Sequence, residues 1–187
     1  MKSICVYCGS NSGIRREYSS AARLLGVELS KEHIQLVYGG SSSGLMGQVS
    51  SEVLKNSGKV IGIIPKILLP NESPNQNLTK TIYVENMSER KETMSSLSDG
   101  FIALPGGLGT YEELFDTISW ARLGIHKKPI GLLNVNQFFD PLLKMIENSC
   151  KEGFINRHSL KFLLVSENPH ELIVNMKIYE SSRNQIT

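Results

Sequence analysis

Residues 101–113 read Phe101-Ile102-Ala103-Leu104-Pro105-Gly106-Gly107-Leu108-Gly109-Thr110-Tyr111-Glu112-Glu113. A short apolar run, typical of a buried strand, leads into a glycine-rich turn and then into a helical pattern over about 111–123. A strand, a turn and a helix in this order form the repeating unit of a parallel α/β sheet. The stretch therefore predicts an α/β protein with this turn at the carboxyl edge of its sheet.

The same alternation recurs along the rest of the chain. Short apolar runs predict further strands at 4–7, 34–38, 60–64, 81–84, 130–133 and 162–165. Helical patterns separate them at about 18–33, 45–55, 88–97 with Ser88 as the cap, 141–151 and 169–179, and 66–80 reads as a long surface loop. Such strands indicate a mostly parallel sheet with helices on both faces. We expect a single doubly wound, Rossmann-like α/β domain over 1–180 and a polar tail over 181–187.

Composition excludes several classes of protein. The chain has 187 residues, and its 20 Lys+Arg and 18 Asp+Glu give a net charge of 20 − 18 = +2, which argues against a nucleic-acid partner. No apolar run reaches the roughly eighteen residues of a membrane span, and the first residues do not resemble a secretory leader. Three cysteines do not indicate a disulfide framework. We expect a cytoplasmic protein with no membrane partner.

The glycine-rich turn predicts an anion site. Glycines let backbone N–H groups approach a ligand, and the start of a helix adds partial positive charge, so Gly106, Gly107 and Gly109 can cradle a phosphate beside the Thr110 hydroxyl. Glycine turns at such junctions also occur without ligands. A dinucleotide fingerprint would need a third glycine where Glu112 stands, and no Gly-Lys-Ser/Thr of a Walker loop occurs.

Glu113 admits two interpretations. Thr110-x-x-Glu113 matches a capping box, in which the Glu113 carboxylate would only accept from the Thr110 backbone N–H. A carboxylate beside a phosphate cradle is unfavourable for binding, however, so a chemical role would explain its presence.

A second glycine cluster spans residues 39–47 and also follows a predicted strand. Gly40-x-Ser42-x-Gly44 formally matches the nucleophile elbow of α/β-hydrolases, but serine and glycine are common and a ligand-lining turn is the simpler interpretation. Because ligands bind beyond the carboxyl ends of the strands, we expect the glycine clusters at Gly9, 39–47 and 106–109 to share one pocket.

Neither cysteine nor histidine spacing predicts a metal site. Cys5-x-x-Cys8 lies at the end of a predicted strand, where positions three apart point to opposite faces, and no second pair supplies ligands. The four histidines, at 33, 126, 158 and 170, show no metal-binding spacing. A core thiol or a small loop residue is the expected role of each cysteine.

Arg90 and Lys91 stand near the start of a predicted helix, where cations are usually disfavoured. A solvated charged face is the ordinary explanation. The alternative is that Arg90 faces a carboxylate or phosphate at the sheet edge, for which its planar fork is suited.

Together these residues resemble the LONELY GUY (LOG) family, long labelled "lysine decarboxylase-like". The resemblance rests on Pro105-Gly106-Gly107-x-Gly109-Thr110-x-x-Glu113, on Glu89-Arg90-Lys91-x-x-Met94, on the glycines of 38–47 and on the run 124–134, and it covers about residues 5–165. It implies hydrolysis of a purine ribonucleoside 5′-monophosphate, either AMP or its N6-modified cytokinin form, to free base and ribose 5-phosphate.

The resemblance also implies roles for individual residues. Arg90 and Glu113 are the expected catalytic pair. Phosphate and ribose would be bound by the turn and the residues after it, namely Gly106, Gly107, Leu108, Gly109, Thr110, Tyr111 and Glu112. Lys91 would lie beside them, and Glu72 of the long loop would be a further substrate-binding acid. It implies no metal or organic cofactor and a homodimer with the helix around Trp120 as its contact surface.

Two other functions compete with hydrolysis as explanations of the same residues. A decarboxylase would hold pyridoxal phosphate on a lysine, and no lysine stands in a recognisable anchoring context. A non-catalytic nucleotide or molybdenum-cofactor carrier needs the glycines but not Arg90 and Glu113, so the presence of both favours the enzyme.

Overall fold

The computed structural model describes residues 1–69 and 74–184. Seven strands lie within them: β1 Ser3–Tyr7, β2 Gln35–Tyr38, β3 Val60–Pro65, β4 Lys80–Val84, β5 Gly100–Ala103, β6 Ile130–Leu133 and β7 Leu163–Ser166. The α-helices are α1 Arg16–Lys31, α2 Gly44–Lys55, α3 Met87–Ser96, α4 Leu108–Arg122, α5 Asp140–Lys151 and α6 Pro169–Asn184. The predicted α/β alternation is confirmed.

All seven strands form one sheet in the order β4-β3-β2-β1-β5-β6-β7, and every neighbouring pair is parallel. The sequence predicted a mostly parallel sheet, and the sheet is wholly parallel over the described residues. The chain winds outward from β1 in one direction to β4 and then returns to β5 on the other side of β1. The topological switch point therefore lies between β1 and β5.

Side chains of β1 show how the sheet is covered on both faces. Ile4 and Val6 lie in a core cluster shared with α1, α2 and α6, whereas Cys5 and Tyr7 lie in a second cluster shared with α3, α4 and α5. Alternate side chains of a strand point to opposite faces, so both faces of this apolar strand are buried. The doubly wound arrangement is confirmed.

Several helix boundaries differ from the sequence prediction. Helix α3 begins at Met87 and is capped by the Asn86 side chain, which accepts from the Glu89 N–H at 2.9 Å, so the prediction of Ser88 as the cap was wrong. Helix α4 begins at Leu108 rather than near Tyr111. Helix α6 continues to Asn184, so the first part of the predicted polar tail is helical.

Two described parts of the predicted long loop between β3 and β4 lie near the carboxyl ends of strands. A 3₁₀ turn, Lys66–Leu68, follows β3, and Pro74 forms an isolated antiparallel bridge with Ser41. The Asn75 N–H donates to the Gly40 carbonyl at 3.0 Å, which holds this end of the loop beside β2. Within the described ranges, none of the helices has the length and apolar character needed to cross a bilayer.

Candidate active site

The start of α4 lies at the switch point with its backbone donors uncapped. Gly107 is the N-cap residue and makes no side-chain hydrogen bond to the helix, and the first turn contains no acidic residue. The N–H groups of Leu108, Gly109 and Thr110 have no intrahelical acceptor, because the first turn of any helix leaves its donors unpaired. These donors and the helix dipole form a site suited to an anion.

A cavity of about 230 Å³ opens in front of these donors. Its walls come from the ends of three adjacent strands and the starts of three helices. The lining residues are Val6, Cys8, Gly9, Ser10, Gly39, Met46, Met87, Arg90, Gly107, Leu108, Gly109, Thr110, Glu112 and Glu113. The cavity thus places Arg90 and Glu113 together with the uncapped helix start.

Arg90 reaches the cavity from the first turn of α3 and is 6% exposed. Its Nη2 donates to the Gly39 carbonyl at 3.1 Å, and its Nη1 lies 3.9 Å from the Met87 sulfur. Its buried Nε has no hydrogen-bond partner among the described residues. Leaving a buried donor unpaired costs about 1–3 kcal/mol, and more for a charged group, so the guanidinium retains a donor for a ligand at this position.

Glu113 lies one turn into α4, on a segment tied to β1. The Thr117 hydroxyl donates to the Glu113 carbonyl at 2.8 Å, and the Tyr7 hydroxyl in turn donates to the Thr117 oxygen at 3.0 Å. All three groups are on elements that meet at the switch point. This chain of hydrogen bonds fixes the Glu113 backbone relative to the end of β1, and the side chain lines the cavity.

The capping-box interpretation of Glu113 is wrong. It required Thr110 to precede the helix, and Thr110 instead lies inside the first turn of α4, which starts at Leu108. Thr110 is buried, and its Oγ1 would lie 2.1 Å from a Cβ placed on Gly106. Gly106 therefore gives the Thr110 side chain its space.

The Cys8 thiol forms part of the cavity wall at the end of β1 and is buried. Burial raises the pKa of this thiol, and the negative charge of Glu113 raises it further. Burial likewise raises the pKa of the Cys5 thiol, with Glu113 as the next cause. Both thiols stay protonated at neutral pH, and their positions in opposite core clusters confirm that they are core residues.

Lys91 lies outside the cavity lining and is engaged with two carboxylates of α4. Its Nζ lies 2.5 Å from Asp116 Oδ2 and 2.5 Å from Glu112 Oε1. The hydrogen bond to Asp116, followed by that to Glu112, raises the pKa of Lys91. The ammonium thus joins α3 to α4 and balances the charge of Glu112 at the cavity rim.

The remaining predicted site residues are placed as follows. Gly106 lines a smaller apolar cleft next to the cavity rather than the cavity itself. The Tyr111 ring stacks on Phe138, with centroids 6.4 Å apart, and is absent from the described lining. Glu72 lies outside the described residues. The binding roles assigned to these residues, and to Lys91, remain predictions.

The expectation of one pocket shared by all glycine clusters holds in part. Gly9, Gly39, Gly107 and Gly109 line the cavity. Gly44 and Gly47 instead pack against backbone, since a Cβ on Gly47 would lie 1.9 Å from the Ser42 carbonyl oxygen. Most of the second cluster therefore serves packing.

The nucleophile-elbow interpretation of Ser42 finds no support in the described residues. Ser42 is exposed and lies outside the cavity lining. His126 is buried and bonds through Nε2 to the Thr117 carbonyl at 3.1 Å, and His170 bonds to Glu28 at 3.1 Å. These histidine contacts are with groups other than Ser42.

Sequence reasoning did not single out the apolar side of the cavity, formed by Val6, Met46 and Met87. Val6 lies near the carboxyl end of β1, and Met46 and Met87 lie in the first turns of α2 and α3. That position is the signal that could have identified them, because every element of a parallel sheet presents this part of its sequence to the ligand.

The fold and site define a doubly wound α/β protein with an uncapped helix start beside a cavity at its switch point. The family model described as "Possible lysine decarboxylase" matches residues 46–176. The chain belongs to this family, the LONELY GUY (LOG) family, as its curated relatives also show.

Among those relatives, the cytokinin riboside 5′-monophosphate phosphoribohydrolase LOG of Oryza sativa subsp. japonica is 48% identical over 176 residues, which cover 94% of this chain and 73% of the relative. A cytokinin riboside 5′-monophosphate phosphoribohydrolase of Arabidopsis thaliana is 45% identical over 186 residues, which cover 100% of this chain and 86% of the relative.

Solved structures share the fold at lower sequence identity. The Moco carrier protein of Chlamydomonas reinhardtii superposes with a TM-score of 0.72 at 19% identity, covering 97% of this chain and 98% of that chain. A molybdenum cofactor binding protein of Rippkaea orientalis gives 0.68 at 24% identity, covering 100% and 99%. At these identities the likeness establishes the fold alone.

Proposed function

We propose that this protein hydrolyses the N-glycosidic bond of purine ribonucleoside 5′-monophosphates whose base is adenine or N6-modified adenine. The products are the free base, a cytokinin in the modified case, and ribose 5-phosphate. The observation that carries the proposal is the meeting of Arg90 and Glu113 with the uncapped start of α4 in one cavity. The names of the curated relatives, which match almost the whole chain, support the same activity.

The phosphate is held at the start of α4. The N–H groups of Leu108, Gly109 and Thr110 donate to its oxygens. Gly107 and Gly109 leave the approach open, because a Cβ placed on either would have no heavy atom of the described residues within 4 Å, apart from chain neighbours and the helix's own backbone. At about 230 Å³, the cavity is below the roughly 300–1,000 Å³ typical of sites that enclose a whole ligand of drug size. Its described walls therefore suit the ribose phosphate half of the nucleotide.

Glu113 acts on the ribose. Cleavage of the bond between base and sugar develops positive, oxocarbenium-like charge on the ribose ring, as in sugar hydrolysis generally. A carboxylate at the cavity wall stabilises that charge and polarises the water that attacks the anomeric carbon. Binding of the distant phosphate holds the ribose against Glu113, so part of the binding free energy is used for orientation.

Arg90 supplies the opposite charge in the same cavity. Its free Nε can donate to the substrate or to the Glu113 carboxylate, and its positive charge favours the ionised form of a neighbouring carboxyl. The fixed fork of a guanidinium is suited to such an orienting role. We therefore assign Arg90 and Glu113 as the catalytic pair.

The remaining predicted contacts complete this proposal. Gly106 shapes the turn, Glu112 and Lys91 form the charged rim, and Tyr111 supports the start of α4 from the Phe138 side. Glu72 is proposed as a substrate-binding acid on the motif resemblance alone.

Neither alternative function fits the described residues as well. Pyridoxal phosphate chemistry requires a lysine that forms a Schiff base, and no lysine is among the described residues of the cavity lining. A cofactor carrier would be consistent with the shared fold, but it gives no role to a carboxylate beside an anion site. The nucleotide hydrolase explains both Arg90 and Glu113.

We also propose that residues 1–180 form one domain, that two copies associate, and that the protein is cytoplasmic. One sheet with a core on each face supports the single domain.

The association of two copies is supported by exposed apolar side chains along α4, near Trp120. They belong to Leu108, Phe115 and Leu123 and would contact a second copy through this helix. Free thiols at Cys5, Cys8 and Cys150 support a reducing compartment. Sedimentation of wild type and Phe115→Glu tests the association, which the charge should disrupt.

A base-release assay tests the activity. Purified protein is given AMP, isopentenyladenosine 5′-monophosphate, GMP and CMP, with adenosine and isopentenyladenosine as controls, and free base is quantified by chromatography. We expect release from one or both adenine monophosphates and little from either nucleoside. Failure to cleave any purine monophosphate, combined with tight nucleotide binding, would favour the carrier.

A further inference from the structure

Arg90 owes its position to a residue on a different element. Gly39 directly follows β2, and its carbonyl accepts from Arg90 Nη2 at 3.1 Å. The arginine side chain crosses from α3 to the end of β2 to make this contact. The guanidinium thereby lies across the cavity wall beside Met46 and Met87.

The space that the guanidinium occupies exists because residue 39 has no side chain. A Cβ placed on Gly39 would lie 2.0 Å from Arg90 Nη2 and 3.2 Å from the Met46 sulfur. A contact of 2.0 Å is impossible, so one of the two groups must move. The atom that would move is the far end of a long, flexible side chain rather than backbone.

Gly39 does not need to be glycine for its own backbone conformation. It is absent from the glycines with positive φ, whereas its neighbour Gly40 has a φ of +85°. An alanine at 39 is therefore compatible with the backbone. The demand for glycine at this position comes from neighbouring side chains, chiefly from the Arg90 guanidinium and to a smaller extent from the Met46 sulfur.

We propose that Gly39 is a positioning residue for Arg90, acting through its carbonyl oxygen and through its missing side chain. The inference rests on the proposed function, in which Arg90 belongs to the catalytic pair. Gly39→Ala should leave the fold intact while turning the guanidinium away from the Gly39 carbonyl and redirecting its free Nε. Nucleotide affinity at the start of α4 should change little, because the phosphate donors are on another element.

The kinetic test compares Gly39→Ala with Gly100→Ala. Gly100 is a matched control, since a Cβ there would also meet flexible side-chain ends, Met1 and Met176 at 3.0 Å, but at the opposite edge of the sheet. We expect Gly39→Ala to lower kcat by about 100-fold, the size of effect caused by misplacing a catalytic group by about 1 Å, with KM within about threefold. Gly100→Ala should retain the wild-type kcat.

A double-mutant cycle separates positioning of Arg90 from any other effect. Arg90→Met removes the guanidinium, so Gly39→Ala should cause no further loss in that background. Losses that multiply would overturn the proposal, as would a wild-type kcat in Gly39→Ala.

Crystal structures of wild type and Gly39→Ala test the same claim without activity. The expected result is an Arg90 guanidinium displaced from residue 39 in an otherwise unchanged fold, and an undisplaced guanidinium would overturn the proposal. If wild type cleaves no monophosphate, the proposed function fails, and these structures still decide the role of Gly39.

Discussion

Two junctions of this protein share a strand, a glycine-rich turn and a helix, yet the backbone donors of the two helices have different partners. At the start of α2, the N–H groups of Leu45 and Met46 donate to the Gly9 carbonyl at 3.0 and 3.4 Å. At the start of α4, Gly107 provides no side-chain cap. The protein itself supplies an acceptor at the first helix start, whereas the part of the chain that the structure describes provides no side-chain cap at the second.

The glycines of the two junctions differ in the same way. At the α2 junction, a Cβ on Gly44 would lie 2.3 Å from the Ser10 carbonyl, and one on Gly47 would lie 1.9 Å from the Ser42 carbonyl oxygen. At the α4 junction, such an atom on Gly107 or Gly109 would have no described residue within 4 Å beyond its chain neighbours and its own helix backbone. Glycine therefore permits close packing of backbone in one junction and keeps an approach open in the other. Similar sequence motifs can serve stability or binding, and the space around the missing Cβ distinguishes them.

The largest expected effect concerns the Glu113 carboxylate, which α4 brings to the cavity wall. Glu113→Gln should reduce base release by about 10²- to 10⁴-fold, because the neutral amide cannot stabilise positive charge or polarise water in the same way. Calorimetry should still detect nucleotide binding. Ser42→Ala, at the α2 junction, should have wild-type activity, and a large loss in that control would contradict the assignment.

The next prediction concerns packing at the α2 junction. Gly47→Ala should lower the free energy of unfolding by about 1–3 kcal/mol, since the new methyl group must displace the Ser42 backbone. Denaturant unfolding of this variant and of Gly109→Ala gives the comparison. Gly109→Ala should be unchanged or more stable by up to about 1 kcal/mol, because it replaces glycine in a helix without a clash. Equal destabilisation of both variants would contradict the difference between a closely packed glycine at the α2 junction and an open one at the α4 junction.

A third prediction concerns Cys5 in β1 and Cys8 just beyond it. The next residue, Gly9, forms backbone hydrogen bonds with both junctions. The folded state holds both thiols protonated by raising their pKa values, whereas thiols of the unfolded chain ionise above about pH 8.5. Stability is therefore fully present below that pH and falls as pH rises, by up to about 1.4 kcal/mol per pH unit for each thiol. Urea unfolding from pH 7 to 10 measures the slope. The Cys5→Ala/Cys8→Ala variant should show a flatter profile, and an identical profile would refute this origin.

The smallest expected effect concerns Lys91, which joins α3 to α4 beside the uncapped helix start. Its carboxylate partners are 39–48% exposed, so solvent screens both ion pairs. Lys91→Met should reduce the free energy of unfolding by less than about 1 kcal/mol, with a smaller loss at high salt. If Lys91 instead contacts the phosphate directly, KM for the monophosphate will rise steeply while stability stays unchanged.

The strands and the order of the helices could be predicted from sequence because apolar runs and glycine turns are local signals. Strand β1 illustrates this, since both of its faces are buried and its residues read as one apolar run. The start of α4 was misplaced because glycines stand on both sides of Leu108, at 107 and 109, and such spacing is typical of a turn. Gly109 is helical despite its low helix propensity, and tertiary structure decides such a boundary.

The site was only partly predictable for a similar reason. The glycine-rich turn at 105–109 and the resemblance to the LOG family identified several of the residues that meet at the cavity, including Arg90 and Glu113. The sequence contains no signal for which glycines lie against backbone, because Ser10 and Ser42 approach them only in the folded chain. It also contains no signal that Lys91 would bind two carboxylates of α4, since a long side chain can reach several partners.

The central claim is that the open start of α4 holds the phosphate of the substrate. The most direct test is the ratio of kcat/KM for isopentenyladenosine 5′-monophosphate to that for isopentenyladenosine, measured in wild type and in Gly109→Ala. We expect a strong preference for the monophosphate in wild type and a large, selective loss of that preference in a fully folded Gly109→Ala. An unchanged preference in Gly109→Ala would contradict it.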